Sequence, residues 1–171
     1  MQKLTVFFVL MCLWTVPALQ AQKEMDNKRM ARIFSETVDR VEGKKGAWQL
    51  LFKERILLVL TDEPNNRMRI FTPIVEEEEV GASEMRNMLR ANFHSALDAK
   101  YSLYNGLVIS VFTHPLKELS EEQLVDALLQ VVSLADTFGT TYSSTDLIFA
   151  PREGEEEEKR INESPTKGKK S

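Results

Sequence analysis

Apolar residues between positions 24 and 42 recur with a helical period: Met30, Ile33, Phe34, Thr37, Val38 and Val41 fall on one face. The spacing predicts an amphipathic helix over 24–42, with Gly43 as its stop and "GKKG" as the following turn. The period then drops to two. Trp48, Leu50 and Phe52 alternate with Gln49, Leu51 and Lys53. Next, "RILLVLT" is a continuous apolar run of branched residues, the pattern of a central strand covered on both faces. "DEPNN" is a turn cluster. In "RMRIFTPIV", Met68, Ile70, Thr72 and Ile74 face one way and Arg67 and Arg69 the other. Pro73 has no N–H for a ladder, which places it at an edge or a strand end.

A second helix is predicted from Glu84 to about His94, with Ser83 as its N-cap and Met85, Met88, Leu89 and Phe93 as its apolar stripe. Strand-like residues then flank Asn105-Gly106. Asn-Gly suits a type I′ turn, which needs positive φ at both central positions. Counting outward pairs Tyr104 with Leu107, Leu103 with Val108 and Ser102 with Ile109. Pro115 ends the second strand, and Ser120 with Gln123 forms a capping box for a last helix. Leu124, Leu128, Val131, Ala135 and Phe138 make its stripe, widened by Val125, Leu129 and Val132. So broad a stripe calls for burial by the sheet and by a second subunit.

The predicted order is helix, three strands, helix, two strands, helix. That is an α+β class, an antiparallel sheet packed by helices. The domain is expected over 22–149, where Leu147, Ile148 and Phe149 tuck back as a short extended or helical piece. From 150 to 171 the chain is charged and carries one large apolar residue, Ile161, so a disordered tail is expected.

The first 21 residues change the picture. Lys3 precedes an apolar run broken only by Thr5 and Thr15, and Pro17, Ala18 and Ala21 follow. This is the form of an export signal, with Gln22 as the mature start. An anchor in the inner membrane is the competing reading. The run is shorter than the ~20 residues of a spanning helix, and Pro17 weakens its end. Cys12 is the only cysteine and lies inside this run, so the mature part has neither disulfide nor thiolate site. An exported domain without disulfides fits a periplasmic or secreted protein of a bacterial envelope.

The formal charge is −4, and loss of Lys3 with the signal makes it −5. No basic stripe marks a nucleic-acid surface. The acidic runs "VEEEEV" and "EGEEEEKR" read as solvated segments. His94 and His114 are the two histidines and share no i, i+4 spacing, so no metal is expected. The four consecutive carboxylates of residues 76–79 lack the calcium-loop pattern. No serine stands in a nucleophile motif and no glycine-rich phosphate loop occurs, which points away from an enzyme and from a cofactor. Met25, Met30, Met68, Met85 and Met88 fit either a packed core or an adaptable binding surface.

Residues 88–138 carry a resemblance. "MLRANF" ends a helix, "LYNGLVISV" makes a hairpin, and "LSEEQLVDALLQVVSLADTF" opens with a Ser-acid cap. This resembles the class I type III secretion chaperones and the related YbjN-type proteins. The resemblance implies a homodimer with its contact around Met85, Met88, Leu89 and Phe93. It also implies that a client protein binds as an extended segment near Ile33, Phe34, Val38, Trp48 and Leu50, by strand addition or groove binding. Secretion chaperones stay in the cytoplasm, and here an export signal precedes the domain. The expectation is therefore an exported, non-enzymatic protein-binding module that shares their fold and binding mode. A small-ligand or lipid-binding envelope domain is the alternative.

Overall fold

The computed structural model describes residues 23–145. The expected signal and charged tail, and Leu147, Ile148 and Phe149, lie outside them. No helix among the described residues is long and apolar enough to cross a membrane.

Helix α1 spans Asn27–Thr37. The Asp26 side chain starts it by accepting the Arg29 N–H at 2.7 Å, satisfying one of the donors a helix N-terminus leaves free. The helix ends five residues before its expected last residue, 42. Val38 is already extended, and the Asp39 N–H donates to Leu51 O at 3.0 Å. The chain continues as strand β1, Arg40–Lys44, antiparallel to β2, Ala47–Phe52. Val41 fits helix and strand spacing alike, and pairing with Leu50 decides for the strand. Gly43 lies within β1 opposite Trp48 at φ +105°, and an added Cβ would stand 2.4 Å from Ala47 O.

Strands β3, Arg55–Asp62, and β4, Arg67–Glu76, follow. A 3-10 turn, Glu77–Glu79, leads to α2, Ala82–His94. This helix begins one residue before Ser83, and Glu84 accepts the Gly81 N–H at 2.8 Å. Strands β5, Lys100–Tyr104, and β6, Leu107–His114, form the Asn-Gly hairpin in the expected register. Helix α3 spans Glu121–Asp136, and its Ser120–Gln123 capping box is formed.

All six strands form one antiparallel sheet in the order β1-β2-β3-β4-β6-β5. Four strands, not three, precede α2, because β1 takes residues read as helix. Strand β4 is central, and Pro73 sits at a bulge between Pro73 and Val75 where pairing is interrupted. Helices α1 and α3 lie side by side on one face. Phe34 packs edge-on against Trp48 at 5.5 Å, and α3 packs on β4 and β6. Arg29 and Arg32 of α1 both reach Glu121 of α3, at 3.7 and 2.9 Å. Between helices and sheet lies a filled core that includes Met30, Leu50, Leu57, Ile70, Leu128 and Val131.

Candidate functional site

Strand parity sets which side chains enter that core. Trp48, Leu50 and Phe52 point inward, and the register carries this to Leu57 and Val59, then to Ile70, then to Phe112. Their neighbours must point outward. Those neighbours are themselves apolar: Ile56, Leu58 and Leu60 on β3, Phe71 on β4, Ile109 and Val111 on β6. Phe71 and Ile109 are nonetheless buried. Ile56 is 46% exposed and Leu60 45%. The β3 run, expected to be covered on both faces, is covered on one.

The outer residues align in rows across the sheet. Leu60, Arg69 and Thr113 form one row; Leu58, Phe71 and Val111 form the next. Tyr104 of β5 reaches across β6 and sets its ring edge-on to Phe71 at 5.8 Å. A groove of about 350 Å³ runs over these rows, lined by Leu60, Arg69, Phe71, Ser102, Leu103, Tyr104, Ile109, Val111 and Thr113. It is an open apolar surface with one cation at its rim. Such a surface suits an extended or amphipathic polypeptide better than an enclosed small molecule.

Helix α2 lies at the β5 edge. Asn92 fixes it there: its side-chain Nδ2 donates to Tyr101 O at 3.1 Å, and its Oδ1 accepts the Tyr101 N–H at 2.7 Å. The amide thus replaces a neighbouring strand at one residue of the sheet edge. Lys100 adds a clamp by donating to Asn92 O and Leu97 O. With its inner side so held, α2 turns Leu89 (70% exposed) and Phe93 (76%) to solvent, one helical turn apart.

The expected site residues therefore separate. Leu89 and Phe93 are surface residues, Met85 is half-buried and Met88 is in the core. Ile33, Phe34, Trp48 and Leu50 are buried among themselves and their neighbours, and Val38 is half-buried against them. This stripe docks α1 onto the sheet, so a partner meeting the folded surface does not reach its buried members. The outer sheet face, which the periodicity did not single out as a site, is the apolar surface left open.

A second, polar cleft of about 420 Å³ lies where β6 runs past the start of β5. Asp98, Lys100, His114, Gln123 and Asp126 line it with Leu97, Phe112 and Thr113. Lys100, His114, Gln123 and Asp126 are engaged in holding the fold. Asp126 accepts from Gln130 at 2.6 Å, and Gln130 in turn accepts the N–H groups of Asp98 and Ala99 at 3.0 and 3.1 Å. His114 stacks on Phe112, with Nδ1 2.7 Å from Pro115 O. His94 sits at the end of α2 with its ring against Phe93. Among the described residues, no three His, Cys, Asp or Glu side chains are grouped as metal ligands.

No family model and no curated protein sequence matches this chain. Solved structures do. A chain of the ExsC–ExsE complex superposes with a TM-score of 0.51 at 18% identity, covering 66% of this chain and 92% of its own length. The Yersinia pestis type III secretion chaperone SycH, in complex with a stable fragment of YscM2, gives a TM-score of 0.51 at 15% identity, covering 66% and 98%. The open six-stranded antiparallel sheet with helices on one face and one edge is thus the fold of a type III secretion chaperone.

Proposed function

We propose that this protein is a non-enzymatic binding module that holds an extended segment of another protein on the outer face of its sheet. It does so after export to the periplasm or beyond, as a homodimer. The observation that carries the reading is the apolar outer face on which Ile56, Leu60 and Tyr104 stand about half exposed around the buried Phe71. Water-exposed apolar rows of this kind are costly to leave bare, and a partner chain gains by covering them. SycH, with the same fold, is a secretion chaperone crystallised with a protein fragment. The polar cleft supports a non-enzymatic role, because Lys100, Gln123 and Asp126 are engaged in hydrogen bonds that hold the fold. A ligand held between helices and sheet is disfavoured by the filled core at that layer.

Site-specific photocrosslinking tests this in cells that express the full chain. A benzophenone amino acid at Leu60 is expected to capture a polypeptide, and the same group at Lys53, in the exposed β2–β3 turn, is not. Fractionation of the same cells tests export. Absence of any adduct from Leu60, Ile56 and Tyr104 alike would remove the face from consideration.

A further inference from the structure

We propose that the segment held on the outer sheet face carries an acidic residue among alternating apolar ones, and that Arg69 and Thr113 receive its carboxylate. This rests on the function proposed above and names the chemistry of the partner. The first observation is charge. The chain has 26 acidic and 22 basic side chains, yet the groove is lined by one cation, Arg69, and by no carboxylate. A partner segment of opposite sign at that end is the complement.

The second is the state of that cation. Arg29 and Arg32 reach Glu121, Arg40 reaches Glu42 and Arg55 reaches Asp136. Arg69 makes no ion pair and no side-chain hydrogen bond among the described residues. Its register partners are Leu60 on β3 and Thr113 on β6, and neither balances its charge. Asp62, on the same face of β3 two residues beyond Leu60, accepts from Asn65. A guanidinium presents N–H donors in a fork that matches a carboxylate, and Thr113 adds a hydroxyl donor in the same row. Leu60 flanks the pair with apolar surface, which excludes water and strengthens it.

The third is spacing. The groove crosses from Tyr104 on β5 over β6 and β4 to Leu60 on β3, three strand spacings of ~4.8 Å each, or ~14 Å. An extended segment turns residues i, i+2 and i+4 to one side over ~13 Å. Three side chains therefore fill the groove. Two apolar ones lie toward Tyr104 and Phe71, whose rings meet edge-on, and the third reaches the rim where Arg69 stands beside Leu60. An acid at that third position gains a partner, and a base meets like charge.

Fluorescence anisotropy with the full chain and two labelled peptides tests this. One peptide is Ser-Glu-Thr-Leu-Thr-Leu-Thr-Glu-Ser; the other has Lys in place of both Glu, and each presents the same pattern in either chain direction. The acidic peptide should bind the wild type ~10-fold more tightly than the basic one, since a charge-assisted pair is exchanged for like charges. The formal charge of −4 opposes that preference, so it must arise locally. Arg69→Glu should reverse the order. Leu60→Gln, a change at a half-exposed position, should weaken both peptides. Protected amides at Leu57 and Ile70 would show that both variants keep the fold. Equal binding of the two peptides, binding of neither, or an acidic preference that survives Arg69→Glu overturns the proposal. So does a wild type that dimerises and becomes monomeric on Leu60→Gln, which would make a second copy the occupant. Crosslinking from Leu60 reads capture of a polypeptide and the Arg69→Glu reversal reads the preference for acid, so failure of the one is distinguishable from failure of the other.

Discussion

At the residue scale, two side chains show how local chemistry sets the frame. Gly43 holds φ +105° with Ala47 O where a Cβ would go. Gly43→Ala should cost about 1–3 kcal/mol, through strain in a left-handed conformation and a clash with backbone that cannot swing away. Urea unfolding would measure it, and an unchanged midpoint would contradict this account of β1. Glu63 lies at the β3–β4 turn, and its Oε1 accepts the Asn27 N–H at 2.8 Å. That bond, aided by Lys45 at 3.2 Å, holds the Glu63 carboxyl below its ordinary pKa of 4.5. A folded-state pKa below the unfolded one contributes stability that is complete above 4.5 and is lost as pH falls through the lowered value. Glu63→Gln keeps an acceptor oxygen and removes the titration. Its melting temperature should therefore fall less than the wild type's on acidification, as thermal scans across that range would detect. Neither residue was legible as such. Gly43 read as a helix stop because glycine marks helix ends and tight strand sites alike, and the Asn27–Glu63 bond joins residues that only the fold brings together.

At the element scale, the clearest signals were those closed within a few residues. The Asn-Gly hairpin took its register from its own turn, and the α3 capping box joins Ser120 and Gln123, three positions apart. Elements that depend on distant partners read less well. Residues 38–42 carry apolar spacing that suits a helix, and β2 captured them as a strand. The β5 edge depends on a contact of the same non-local kind. Asn92→Ala removes both hydrogen bonds to Tyr101 and bares its N–H and C=O at a sheet edge. A loss of about 1–3 kcal/mol is expected, with faster amide exchange at Tyr101 and through α2. Stability falling while Tyr101 stays protected would show that α2 is held by other contacts. Asn92→Asp keeps the acceptor for the Tyr101 N–H, so it should restore part of that protection.

At the scale of the whole molecule, the described residues leave two apolar regions exposed, and they differ in shape. Leu89 and Phe93 form a narrow ridge on α2, beside the β5 edge. A second copy meeting that ridge would bury both, and each large apolar side chain so covered contributes about 1.5–3 kcal/mol. Leu89→Asp combined with Phe93→Asp should leave a folded monomer where the wild type scatters light as a dimer at tens of micromolar. A wild type that is monomeric there would retire the homodimer. The outer sheet face is broader and carries the groove, which suits an extended chain laid across strands. The expected client stripe on α1 and β2 was real as an apolar stripe. Its buried members pack inside the domain, because apolar periodicity reports that a face will be covered, not by what.

The sequence alone determined the class of fold, the hairpin register, the Ser120–Gln123 cap of the last helix and the existence of several apolar faces, since all of these follow from periods and contacts that span a few residues. Tertiary structure decided the rest. It turned residues 40–44 into a strand, put Pro73 at a bulge in a central strand, and buried Phe34 and Trp48 while leaving Ile56 and Leu60 bare. The physical reason is that each apolar strand face is equally eager for cover, and two helices lying on one side of a sheet can cover only that side.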